Sequence, residues 1–204
     1  MLSAVSSRER ESTLGAINVL RNSETGYGLV AILFHWLIAA MFIGQASLGF
    51  YMSDLPPDEA LTFTVYQWHK SLGLSILLLA MLRFIWRMSG PEPALPATMP
   101  GWEKRAARGA HLFLYAALIL VPLTGWALVS ASPLDIPTFA FNLVVVPHLP
   151  VPAGEAAERL WGFVHELLAK AALLVALIHI GAALRHEFVL RDGLLSRMIR
   201  PARR

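Results

Sequence analysis

The chain has 204 residues, 56% hydrophobic and 15% charged, with a mean hydropathy of +0.55. A soluble domain of this length is more polar, so the composition points to a membrane protein. There is no cysteine, which excludes disulfides, cysteine-ligated iron–sulfur clusters and any thioether-attached group, and leaves histidine as the strong ligand for a transition metal.

Residues 1–26 are polar and mixed in charge. They lack a basic start, a short apolar core and a small-residue cleavage site, so they do not read as a signal peptide. They read as a short interfacial helix or an over-extended start of the reading frame. Four apolar stretches follow, each near the ~20 residues that cross a bilayer: 29–52, 66–86, 107–129 and 160–183. The linker at 89–103 has four prolines and is expected to be extended. Pro122 inside the third stretch, followed by Thr124 and Gly125, predicts a kink. The loop at 131–154 has prolines at 133, 137, 147, 150 and 152 and is expected to form a small cap. Residues 201–204 are a basic tail. The expected architecture is an all-α membrane protein with a four-helix domain over 27–200.

The charges give a direction. All of the 17 Lys and Arg except Lys70, Arg159 and Lys170 lie before the first stretch, between the second and third, or after the fourth. With four crossings those places share one side. The opposite loops, 53–64 and 131–158, carry Asp54, Asp58, Glu59, Asp135, Glu155 and Glu158 and no basic residue. Basic flanks mark the cytoplasmic side, so both termini are expected there. This distribution also argues against nucleic-acid binding as the meaning of a pI near 9.6.

The histidines sort by depth in this frame. His165 and His179 are fourteen residues apart on the fourth stretch, close to four helical turns and about 21 Å along one face. His165 falls near the outer surface and His179 near the inner one. His69 matches the first depth; His35 and His111 match the second. One such histidine often serves only to hydrogen-bond a neighbouring helix, but five matched by depth are different. Haem b iron takes two axial imidazoles, and bundle cofactors are held by side chains on facing helices. The pattern is that of two haems stacked across a membrane. His179 is the common partner on the inner side, and spacing leaves His35 against His111 open.

Short motifs carry a resemblance. Tyr27-Gly28, Phe34-His35-Trp36, Trp68-His69-Lys70-Ser71-Leu72-Gly73, His111-Leu112-Phe113-Leu114-Tyr115, Pro122-Leu123-Thr124-Gly125-Trp126, Trp161-Gly162-Phe163-Val164-His165-Glu166 and His179 with His186 stand in order on the four stretches. Together they resemble the prokaryotic cytochrome b561 family over about residues 27–200. The resemblance implies four helices, two haems b and electron exchange with quinone in the bacterial cytoplasmic membrane. It implies His35 with His179 and His69 with His165 as haem ligands, with His111 a non-ligand beside the inner haem.

The remaining candidates are weighed singly. His186, two turns beyond His179, reads as an interfacial side chain or as a quinone or propionate contact. Lys70 and Arg159 are available for propionates on the outer side. Arg83, Arg87, Arg108 and Arg185 are available inside, where headgroup anchoring is the commoner role. Lys170 has Glu166 four residues before it, the favourable order for a helical ion pair. That local pair is its first reading, ahead of a proton path or propionate contact. His148 reads as an ordinary loop residue.

Several functions remain open on these residues. One is electron transfer between an outer-face donor or acceptor and the quinone pool, including superoxide oxidation. Another is a haem-bearing anchor for a hydrogenase or dehydrogenase complex. A histidine-lined metal-ion transporter is the reading from another class. It calls for carboxylates or histidines at mid-membrane, whereas these histidines cluster near the two surfaces. Acidic outer loops weigh against an anionic substrate such as superoxide. No nucleotide-binding glycine motif is present.

Overall fold

The computed structural model describes residues 19–56 and 59–202. Most of the N-terminal polar segment, Asp58 and the last two residues of the basic tail lie outside the described residues. Among those described, four helices are long and apolar enough to cross a membrane. They are α1 (Leu29–Ser53), α2 (Ala60–Met88), α3 (Gly101–Ala131) and α4 (Glu155–Arg185). The protein is a four-helix membrane bundle.

The last three helices overrun the apolar stretches at both ends. α3 begins at Gly101 and includes Glu103, Lys104 and Arg105; α4 begins at Glu155 and includes Glu158 and Arg159. Hydropathy marks only the part in hydrocarbon. The backbone ladder continues into polar turns, which keep their carbonyls and amides paired. Gly101 follows the proline-rich linker, which is non-helical from Gly90 to Pro100, as expected.

Burial is inverted relative to a soluble protein. Ala80, Ala117, Ala127, Ala131, Ala172 and Ser71 are buried, while Leu33, Leu78, Ile85, Leu112 and Leu174 are exposed. Small side chains let membrane helices approach closely, and large apolar ones face the lipid.

The chain forms two compact units. The first comprises the described parts of Met1–Leu37, Leu82–Ala107 and His179–Arg204; the second comprises those of Ile38–Met81 and Arg108–Ile178.

The first unit is strapped by its loops. Ala202 N–H donates to the Tyr27 carbonyl at 2.9 Å, and Ala94 N–H to that of Glu24 at 3.1 Å. Arg197 Nη1 donates to the Ala94 carbonyl at 2.8 Å. At Gly28 a Cβ would stand 2.4 Å from the Leu20 carbonyl oxygen and the Arg21 carbonyl carbon, so only glycine admits this crossing. Beyond α4 the chain makes a π turn, His186–Leu190, closed by Arg191 in the left-handed conformation.

In the second unit, the loop after α3 contains an antiparallel hairpin, β1 (Thr138–Ala140) with β2 (Val144–Val146), pairing Thr138 with Val146 and Ala140 with Val144. Phe141 and Asn142 make the reversal at φ 50° and 58°. Asn tolerates this region; Phe rarely enters it. Here Phe141 N–H donates to Ser71 Oγ at 2.9 Å, and its ring meets Trp68 edge-on at 5.6 Å. The expected cap is thus an ordered hairpin fastened to α2.

Candidate functional site

In the second unit, His69 of α2 faces His165 of α4. Their ring centres are 6.3 Å apart and their planes 85° apart. His165 Nδ1 lies 2.9 Å from the Val121 carbonyl, which is free of charge and can only accept, so Nδ1 carries the proton and Nε2 presents a lone pair. Thr124 Oγ1 donates to the same carbonyl at 2.8 Å and stands 3.3 Å from His165 Nδ1. Val121 is the residue before Pro122. The proline interrupts the α3 ladder, and the imidazole and hydroxyl gather on the carbonyl beside it.

Glycine makes room for both rings. A Cβ at Gly125 would lie 3.0 Å from His165 Cε1, and one at Gly49 would lie 3.2 Å from His69 Cε1. Gln45, one turn before Gly49, donates Nε2–H to the His69 carbonyl at 2.7 Å. Its Oε1 and the Nδ1 of His69 are buried without a hydrogen-bond partner. Orphaned buried polar atoms are uncommon away from functional sites.

In the first unit, His35 of α1 faces His179 of α4, with ring centres 6.4 Å and planes 70° apart. Arg83 Nη2 lies 3.2 Å from His35 Nδ1. Trp36 packs edge-on against His35 at 5.3 Å and donates its indole N–H to the Met198 carbonyl at 2.7 Å.

Both separations fit one iron. Two collinear metal–imidazole bonds of about 2.0–2.1 Å, plus ~1.2 Å from each nitrogen to its ring centre, put two ring centres ~6.4 Å apart. At His165 the proton-bearing nitrogen is already fixed by a backbone carbonyl, the usual support of a metal-bound imidazole. The residues therefore fit haem b.

The other candidates fall elsewhere. Lys70 Nζ donates to the Pro137 carbonyl at 3.2 Å, fastening the hairpin. Arg159 pairs with Glu155 at 3.2 Å on the surface. Lys170 bonds Glu166, the local pair expected from the sequence. Arg185 pairs with Glu103 at 3.1 Å.

His186 is buried, not snorkelling at a surface. Its Nδ1 lies 2.6 Å from Asp192 Oδ2 and its Nε2 lies 3.6 Å from Glu103 Oε2. The π turn that begins at His186 brings Asp192 back to the ring, while Glu103 reaches it from α3. His148 pairs with Asp135 at 3.1 Å. His111 is a half-buried residue of α3.

Sequence reasoning missed Gln45, Gly49 and the Val121 carbonyl. A glutamine and a glycine four residues apart in an otherwise apolar helix were the available signal for the first two. Among the described residues, no group of three or more His, Cys, Asp or Glu is arranged to hold a bare metal ion.

An apolar four-helix bundle with imidazoles facing in pairs is the architecture of a membrane cytochrome b. Residues 26–201 match the family described as prokaryotic cytochrome b561, and the chain belongs to that family. It is 31% identical over 179 residues to cytochrome b561 homolog 2 of Escherichia coli (strain K12), covering 87% of this chain and 93% of that one. It is 29% identical over 177 residues to a probable superoxide oxidase CybB of Yersinia pestis, covering 85% and 95%. It is 30% identical over 188 residues to cytochrome b562 of Cereibacter sphaeroides, covering 87% and 98%. Membership makes the protein a multi-pass membrane electron-transfer protein of a haem b family.

Proposed function

We propose that this protein is a dihaem cytochrome b that carries electrons across the bacterial cytoplasmic membrane between an outer-face partner and the quinone pool. The observation that carries the reading is the pair of imidazole separations, 6.3 and 6.4 Å, each of which would let the two rings hold one haem iron between them. His69 and His165 hold the outer haem; His35 and His179 hold the inner one. Bound haem supplies one-electron chemistry. The chain's own groups orient the imidazoles and neutralise carboxylates.

If His35 were to hold iron through Nε2, its Nδ1 would carry the proton. Arg83 can only donate, so it cannot keep its contact there. The haem propionates offer it a charged acceptor instead. Arg83 is thus assigned to the inner haem's carboxylates. His111 is assigned to the quinone side. An imidazole has one nitrogen that donates and one that accepts, so it can hydrogen-bond a quinone oxygen and pass a proton to it.

The likeness to the Yersinia pestis protein favours a second version, in which the outer-face donor is superoxide. Anaerobic spectroscopy separates the two. Quinol added to oxidised protein reduces haem in either version. Superoxide generated outside proteoliposomes reduces haem, and then internal quinone, only in the second. Failure of quinol to reduce either haem overturns the proposal.

A further inference from the structure

The hairpin occupies an unexpected flank of α2. Val65, Ile76 and Ala80 are buried and share the helix face of His69. Gln67 and Ser71 lie two residues either side of His69, roughly 160° away around the helix. They should face lipid, yet they are 5% and 1% exposed. The hairpin is what buries them. Gln67 Oε1 accepts from Phe139 N–H at 3.1 Å, and Gln67 Nε2 donates to the Pro137 carbonyl at 3.0 Å. Ser71 Oγ accepts from Phe141 N–H at 2.9 Å; its own proton goes to the Gln67 carbonyl at 2.7 Å, with the Phe139 carbonyl 3.3 Å away.

Depth and composition then point the same way. Gln67 and Ser71 lie within the apolar stretch 66–86 of α2, so the hairpin stands where that helix enters hydrocarbon. Residues 136–147, Ile-Pro-Thr-Phe-Ala-Phe-Asn-Leu-Val-Val-Val-Pro, carry no charge. Leu143, Val144 and Val145 are 84%, 62% and 57% exposed. Val144 and Val145 are adjacent on a strand and point to opposite faces, so both faces of β2 are uncovered. In water an uncharged valine-rich edge strand is an aggregation site. At membrane depth, non-helical backbone needs its polar groups sealed by protein, and Gln67 and Ser71 seal the β1 edge. Trp126 donates its indole N–H to the Pro147 carbonyl at 3.0 Å. Trp68, against Phe141, and Trp126 thus each hold the loop, and tryptophan is a residue type enriched at headgroup level.

We propose that the β1–β2 hairpin is an interfacial membrane element. The side chains of Leu143–Val145 dip into the headgroup–acyl boundary of the leaflet on the acidic-loop side, where headgroups and water can pair the open outer edge of β2. The hairpin is therefore not a docking face for a soluble partner.

The absence of cysteine makes the test direct. Leu143→Cys and Val144→Cys are each labelled with an environment-sensitive fluorophore, with Glu155→Cys as the aqueous reference. The haem-loaded proteins are placed in nanodiscs of phosphatidylethanolamine and phosphatidylglycerol. Each variant is first matched to the unlabelled protein by visible spectrum, and two positions guard against one being disruptive. Labels at 143 and 144 are expected to lose most of their emission to lipids spin-labelled near the headgroup and little to aqueous iodide, with the reverse at 155. Iodide quenching at 143 and 144 equal to that at 155 overturns the proposal. So does shielding from both quenchers that vanishes as protein is diluted in lipid, which would mean that a second copy covers the strand.

Discussion

At the scale of single residues, the His69–His165 site depends on what its neighbours lack. Gly125 and Gly49 have no Cβ where one would press on His165 and His69 at 3.0 and 3.2 Å. Gly125→Ala must therefore push the imidazole off its bond to Val121 or move the helix. Overpacking of this kind costs about 1–3 kcal/mol. The expected outcome is a lower unfolding midpoint and an altered spectrum for one haem. Gly44, with nothing within 4 Å of its built Cβ, supplies the control. Gly44→Ala should be neutral, or stabilising by up to about 1 kcal/mol from helix propensity. His111→Ala is expected to keep both haems and slow quinone-driven haem reduction, read by stopped flow. Loss of a haem in that variant would make His111 a ligand and displace His35 from the role.

At the scale of elements, the C-terminal turn is held by charge as much as by packing. His186 lies between Asp192 and Glu103, and Arg185 reaches the same Glu103. Glu187 accepts from Ser196 N–H and Oγ–H at 3.2 and 2.8 Å. Removing the Asp192 carboxylate leaves a buried imidazole without its closest partner, a loss of about 1.5–3 kcal/mol for a charge-assisted hydrogen bond. Asp192→Ala is expected to lower the thermal midpoint in detergent and expose the peptide bonds after Arg185 to protease, with both haem spectra retained. Unchanged protease resistance would show that the turn is held without the cluster.

The elements also mark where the sequence was readable. The spans and the depth-matched histidines follow from hydropathy and helical spacing, which are local properties, whereas the choice of His35 over His111 came from the resemblance. The hairpin's position does not. It is fixed by Gln67 and Ser71 meeting a backbone about seventy residues away, and nothing in the local pattern of 131–154 names that partner. Arg83 against His35 and His186 against Asp192 escaped for related reasons. One is a contact between helices; the other needs the π turn His186–Leu190, which follows the ring and returns Asp192 to it.

At the scale of the whole molecule, the proposed function requires two independent haem sites, each taking one histidine from α4. The pyridine haemochrome ratio of haem to protein tests this most directly, measured on the wild type and on His165→Ala and His179→Ala. Each substitution removes one strong axial ligand from one iron. Close to two haems per chain are expected in the wild type. Each variant should fall to about one, and the two should lose different components of the reduced spectrum. A wild-type ratio of one, or the loss of the same component in both variants, would contradict it.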